Sequence, residues 1–292
     1  DPEGTLQRSL DWLDKAGAQD VRLTVFPELC YPGYNPLLAA KAQPERYEEL
    51  IELLKSLAEP IPGPATDRLA EKAKNHGMHI VFGIMERGEG DRLHNASVLI
   101  DAKGDILSVH RKTILTPGIE TPELTPGDEL KVTETELGVI GQLICADCSC
   151  PETSRILAIK GAQILCLPMG GFRVHWKERE LMDPVMEYSH ASRTRAVDNS
   201  MYLIMANQTC TASGFEFLGK SRIINYYGDL LAMGSEGTEN EELLVAEIDV
   251  DELAELPLKL ISRRRPEIYG DILLPNEEAP KVSGDFMVPS DE

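Results

Sequence analysis

The sequence predicts one α/β domain, on three observations. Apolar runs of strand length alternate with amphipathic runs of helix length throughout. No linker separates two halves. The 292 residues, 42% hydrophobic, are enough to bury a sizeable core.

The elements follow in order. Leu6, Leu10 and Leu13 recur at helical spacing in TLQRSLDWLDKAGAQ, and VRLTVF after it reads as a short strand. ERYEELIELLKSLAEP is a second helix, closed by the breaker Pro60-Ile61-Pro62-Gly63-Pro64, and TDRLAEKAKNHG is a third, with Thr66 as its cap and Gly77 as its stop. MHIVFGIMER and NASVLIDAKGDILSVHRK alternate as strands, the latter turning at Lys103-Gly104. GVIGQLICAD is a buried strand, PETSRILAIKGA a helix with Pro151 in its first turn, and AQILCLPMG another strand. A long helix is expected through ELMDPVMEYSHASRTRAVDN, then strands at MYLIMANQ, KSRIINYYGDLLAMG and ELLVAEID. The Pro- and acid-rich run after residue 262 has little periodicity. It is expected to be an arm (263–292) over the surface or onto another subunit, following a core domain of residues 1–262. An interleaved sheet usually opens on a strand, so a helix within the first ten residues is unexpected.

Charge narrows the function. Lys plus Arg number 29 against 49 Asp plus Glu, a net charge of -20. Such a surface repels phosphate backbones and anionic lipid, which argues against nucleic-acid and membrane partners. No stretch reaches the length of a membrane span and no secretory segment opens the chain. The six cysteines, at 30, 145, 148, 150, 166 and 210, are therefore read as reduced thiols of a cytoplasmic protein.

Three residues end strand-like runs and lie in turns, where a scaffold can present a side chain to a pocket: Glu28, Lys112 and Cys145. A thiol at a strand-to-helix turn gains from backbone N–H groups and the helix dipole. Cys145-Ala146-Asp147-Cys148 also fits the C-x-x-C redox spacing, and Cys150 offers a third sulfur to a metal, though no second pair follows. Taken singly, a buried structural cysteine, a solvated loop acid and a surface lysine are the better account of the three.

Their flanks decide the matter together. Phe26-Pro27-Glu28-Leu29 with Pro32-Gly33-Tyr34, His110-Arg111-Lys112, and Ile144-Cys145-Ala146-Asp147 with Pro151-Glu152 resemble, in that order, the Glu, Lys and Cys motifs of the nitrilase (carbon–nitrogen hydrolase) superfamily. Asn95-Ala96-Ser97, Arg195-Ala196 and Ala206-Asn207-Gln208 are similar to further family positions, so the likeness spans nearly the whole chain. The resemblance implies a four-layer α-β-β-α sandwich, a leading strand before the first helix that is not seen here, and homodimers or larger assemblies. It also implies a second glutamate beside the lysine, matched by Glu120 with Glu123 as the alternative.

The chemistry such a site implies is hydrolysis of a small amide. Cys145 attacks the carbonyl, Glu28 takes the thiol proton and returns one to the leaving amine, and Lys112 with the N–H of Ala146 holds the oxyanion. Glu120 fixes Lys112. No metal or organic cofactor is required. True nitrilases place Trp-Glu after the cysteine, where this chain has Ala146-Asp147. Carbamoylases of amino acids place arginines where it has Cys148 and Ser149, and a guanidinium clamp is not replaced by a thiol and a hydroxyl. An amidase is expected, with N-carbamoyl amines as the alternative substrates. Tyr34, Ala146, Cys150, Arg173 and His175 are the expected pocket residues. A non-catalytic binding relative or a thiol redox protein using Cys145 and Cys148 are the alternatives of another class.

Overall fold

The structure is a computed structural model that describes residues 1–176, 179–182, 184–237, 239, 241–256 and 260–273; for 91, 173–176, 179–182, 184–189, 218 and 260 it describes the backbone alone. In chain order the helices and strands are α1 (Pro2–Gly17), β1 (Leu23–Val25), α2 (Asn35–Ala42), α3 (Tyr47–Leu57), α4 (Pro64–His76), β2 (His79–Arg87), β3 (Leu93–Ile100), β4 (Ile106–Arg111), β5 (Val132–Thr135), β6 (Gly138–Gln142), α5 (Pro151–Ile159), β7 (Ile164–Met169), β8 (Phe172–Trp176), β9 (Arg179–Met182), α6 (Pro184–Asn199), β10 (Tyr202–Asn207), β11 (Thr209–Ala212), β12 (Phe215–Leu218), β13 (Arg222–Ile224) and β14 (Leu230–Met233).

Two sheets form the middle of the molecule, one ordered β1-β2-β3-β4 and the other β14-β13-β10-β7-β6-β5. Between them Val81 and Leu99 meet Ile140, Ile164 and Cys166, all 1% exposed or less. On the outer face of the first sheet, Leu6, Leu10 and Leu13 of α1 and Leu69 and Ala73 of α4 pack on Ile80, Phe82, Val98 and Ile100. Each such leucine contributes about 1.5–3 kcal/mol by leaving water. Leu157 of α5 and Ala196 of α6 cover Leu165, Leu167 and Leu203 on the other side. The order of layers is therefore α-β-β-α, as the resemblance implied. A third, smaller sheet, β11-β12-β8-β9, stands beside these layers.

Most of the expected elements form where periodicity placed them. Gly77 ends α4 in the left-handed conformation at φ 63°. Thr66 is not the cap of that helix. Gly63 is, and Thr66 stands in the first turn, its hydroxyl accepting from the Gly63 N–H at 2.8 Å. The helix expected from residue 180 begins at Pro184, because Glu180 to Met182 pair with β8 instead. ELLVAEID forms no strand: it lines a cavity of about 1670 Å³ together with the unpaired edge of β1, so its backbone has no neighbouring ladder. α2 was not anticipated, since NPLLAAKA buries Pro36 to Ala40 without an amphipathic period to reveal it. Residues 260–273 form short exposed turns, and the rest of the expected arm lies outside the described residues. Among the described residues no helix is long and apolar enough to cross a membrane.

Candidate active site

Glu28 leaves β1 through Phe26-Pro27, and the chain turns sharply at Leu29, whose φ of 43° lies in the left-handed region. Gly83 of β2 permits this turn, because a Cβ there would stand 2.2 Å from the Pro27 carbonyl oxygen and 2.8 Å from Glu28 Cα. The Glu28 carbonyl accepts from Gln208 Nε2 at 2.5 Å, which ties the turn to the end of β10. The carboxylate is completely buried.

Lys112 follows β4. Its N–H donates to the Asn95 carbonyl on β3 at 2.8 Å, and its side chain is fully enclosed. The ammonium bridges two carboxylates, donating to Glu28 Oε1 at 2.7 Å and Glu120 Oε2 at 2.6 Å. Its third proton has only a long contact to Thr116 Oγ1, at 3.4 Å. Burial works against the charge, but Glu120 and Glu28 outweigh it and raise the Lys112 pKa well above the usual lysine value. Glu120 is therefore the second glutamate. Glu123 instead pairs with Lys41 Nζ at 2.5 Å and accepts from the Tyr47 hydroxyl, pinning the same loop to α2 and α3.

Cys145 opens a single helical turn, Cys145–Ser149, between β6 and α5. Its φ is 43°, a strained value for a residue with a side chain, and such strain gathers where a scaffold must aim a group. The Gly170 N–H points at its sulfur, and Glu28 and Lys112 both lie within electrostatic reach. Burial and the Glu28 charge push the thiol pKa well above its ordinary value, against the pull of Lys112. Both favour the thiol over the thiolate. Burial likewise raises the Glu28 pKa, with Glu120 adding to it and Lys112 opposing. Gly170 must be glycine: a Cβ there would meet Glu28 Oε2 at 2.7 Å and the Tyr34 ring at 2.5 Å.

Asp147 escaped the sequence reading as a site residue. Wholly buried, it accepts at Oδ1 from Thr113 N, Thr113 Oγ1 and Ile114 N, and at Oδ2 from His110 Nε2 and Ile144 N, at 2.7–3.0 Å. A carboxylate only accepts, so the His110 proton sits on Nε2. The loop of Cys145 is thereby fastened to the loop of Lys112. Arg195 of α6 closes the other end, donating to the carbonyls of Cys148 and Ser149 at 3.2 Å. The signal for Asp147 was its place two residues after the thiol; the signal for Arg195 was its family-like position.

The expected pocket residues fare differently. Tyr34 is buried at N-cap of α2, its ring 5.5 Å from Phe217, and burial and Glu28 raise its phenol pKa well above the usual range. Ala146 and Cys150 are partly exposed, flanking the Cys145 turn. Arg173 and His175 lie on β8, but their side chains are outside the described residues. The 1670 Å³ cavity touches neither Glu28, Lys112 nor Cys145. Cys148 is a buried thiol with its pKa pushed up to about 12 by burial, and all six cysteines are free.

This fold, and a buried Glu–Lys–Glu cluster beside a cysteine turn, define a class of hydrolase, and sequence comparison agrees. Residues 1–258 match the carbon-nitrogen hydrolase family, to which the chain belongs. It is 32% identical over 252 residues to a nitrilase from Pyrococcus abyssi, covering 86% of this chain and 85% of the relative. It is 30% identical over 281 residues to omega-amidase NIT2 from Danio rerio, covering 90% of each. Among solved structures, a carbon-nitrogen hydrolase from Helicobacter pylori G27 superposes with a TM-score of 0.78 at 25% identity over 94% of both chains. The NitN amidase from Nesterenkonia sp. AN1 shares the fold, with a TM-score of 0.74 at 23% identity over 94% of both chains. The protein is a hydrolase acting on carbon–nitrogen bonds.

Proposed function

We propose that the protein is an amidase that hydrolyses a small, uncharged or cationic amide through a thioester on Cys145, releasing ammonia or an amine and a carboxylic acid. The observation that carries this is Glu28 Oε2, a buried carboxylate oxygen with no hydrogen-bond partner among the described residues, set against Gly170 on the same side as the Cys145 sulfur. A carboxylate held with one oxygen unsatisfied and a raised pKa is suited to take a proton.

The reaction runs in two halves. Glu28 accepts the Cys145 proton as the sulfur bonds to the carbonyl carbon. The negative charge that gathers on the substrate oxygen is met by the loosely held third proton of Lys112 and by the Ala146 N–H, each such donor contributing roughly 3 kcal/mol. The carbon–nitrogen bond breaks, and the amine leaves with the proton from Glu28. Water then enters, Glu28 takes its proton, and hydroxide adds to the thioester. Collapse returns that proton to sulfur and frees the acid. Support comes from a mutant of the Nesterenkonia sp. AN1 amidase, in which the acetamide moiety of fluoroacetamide is covalently added at the active-site cysteine. Net charge favours a substrate without an anionic group: two carboxyl groups flank the single ammonium of Lys112, on a chain of -20.

Ammonia release from amides, carbamoyl compounds and nitriles tests the proposal. Amides should be turned over fastest, and Cys145→Ser should abolish release while leaving the far-UV spectrum and Tm intact. Undiminished release by Cys145→Ser, or preferential nitrile turnover, overturns it.

A further inference from the structure

Asn95 ends on both carboxylates of the cluster. Its Nδ2 donates to Glu28 Oε1 and to Glu120 Oε1, each at 2.7 Å, and the residue is 1% exposed. The orientation is fixed by chemistry, because both neighbours are acceptors and only the amide nitrogen carries protons. Its Oδ1 is left buried without a partner among the described residues, a standing cost to stability. Glu28 Oε1 thus receives two well-aligned donors, Lys112 Nζ and Asn95 Nδ2, while Oε2 has no partner in hydrogen-bond geometry among the described residues, and the Tyr34 hydroxyl stands by the carboxylate as a looser donor.

We infer that Asn95 is a positioning residue of the reaction: with Lys112 it saturates Glu28 Oε1, so that Oε2 is the oxygen that takes the Cys145 proton. The inference rests on the amidase mechanism proposed above. Asn95 acts only through Glu28 and Glu120. Its amide is shared between the two carboxylates, and its hydrogen bond to Glu28 stabilises the ionised form of Glu28. The groups facing Glu28 are Lys112 after β4, Glu120 on the loop that follows, Cys145 after β6, and Tyr34 before α2. Loss of the Asn95 donor removes one stabiliser of the Glu28 charge while Glu120 still repels it, so the base should ionise at higher pH.

The test is the rate of iodoacetamide alkylation at Cys145, read by mass spectrometry as a function of pH on the full chain, for the parent, Asn95→Ala and Asn95→Ser. It needs no substrate, so it reports on Asn95 even where no amide is hydrolysed. Failure of the amidase proposal is read separately, from ammonia release by the parent. In Asn95→Ala the midpoint of the alkylation profile should rise by about one pH unit, and kcat should fall roughly 10- to 100-fold with KM little changed. Asn95→Ser keeps one donor and should show a smaller rise in the same direction; it carries the test where Asn95→Ala does not fold. A midpoint that stays where it is in a folded variant, whatever happens to Tm, overturns the inference, since a purely structural role moves the folded fraction and not the titration.

Discussion

Two of the buried carboxylates of the site, Glu28 and Asp147, are treated in opposite ways. Asp147 is met by five donors spread over both oxygens. Glu28 is met by two well-aligned donors, both on one oxygen, with the Tyr34 hydroxyl as a looser neighbour. Burial pushes both toward the neutral acid. At Asp147 His110, Thr113 and Ile144 overcome it, and the pKa falls below the ordinary value of 3.8. At Glu28 burial prevails over Lys112, helped by Glu120, and the pKa rises above 4.5. Saturated donors make a carboxylate an anchor; a deficit of donors leaves it a base.

The signs of linkage differ accordingly. Asp147, with its folded pKa lowered, adds stability above its unfolded pKa, and that stability is lost as pH falls through the folded value. Glu28, with its folded pKa raised, is accommodated best below its unfolded value and costs stability as pH rises through the folded one.

Substitutions at the two acids separate the roles. Glu28→Gln should lower kcat by roughly 10³-fold or more while Tm at pH 7 stays level or rises; a Tm loss matching that of an Asp147 variant would erase the distinction. Asp147→Ala strands three backbone N–H groups and a charged or polar ring, and should cost about 3–5 kcal/mol by denaturant unfolding. If it leaves the midpoint unchanged, Asp147 is not the anchor its geometry describes.

Smaller effects sharpen the same contrast. The acid limb of kcat/KM should fall above the usual glutamate value of 4.5, because Glu28 must be ionised to act, and Lys112 should add no alkaline limb below its ordinary 10.5. An acid limb at or below 4.5 would point to a base other than Glu28. The mildest expectation concerns Cys148, buried beside Leu157 and Ala196. Cys148→Ala should cost about 1 kcal/mol from the small void and keep ammonia release within about twofold; a complete loss would bring back the paired-thiol redox alternative.

What was legible in the sequence follows from locality. Glu28, Lys112 and Cys145 each follow a strand, and each lies inside a short motif, so chain order alone was enough to pick them out. Asp147 and Asn95 were in view as motif neighbours without roles. Their roles depend on partners far along the chain: His110 is 37 residues from Asp147, and Glu28 is 67 from Asn95. The same limit explains the lost strand at residues 242–249. Alternation marks a segment that suits a ladder, but pairing needs a neighbouring edge, which residues of distant sequence must supply.

By itself, then, the sequence determined the α/β class, through apolar runs of strand and helix length that alternate along the chain, and it singled out an acid, a cation and a thiol as candidates, with the layered arrangement implied by the family resemblance. Only the tertiary structure decided which glutamate joins Lys112, which oxygen of Glu28 lacks a well-aligned partner, and which carboxylate is saturated with donors and which is not. Those are matters of donor count within about 3 Å, and donor count is set by the register of β3 against β4 and by the left-handed turns at Leu29 and Cys145.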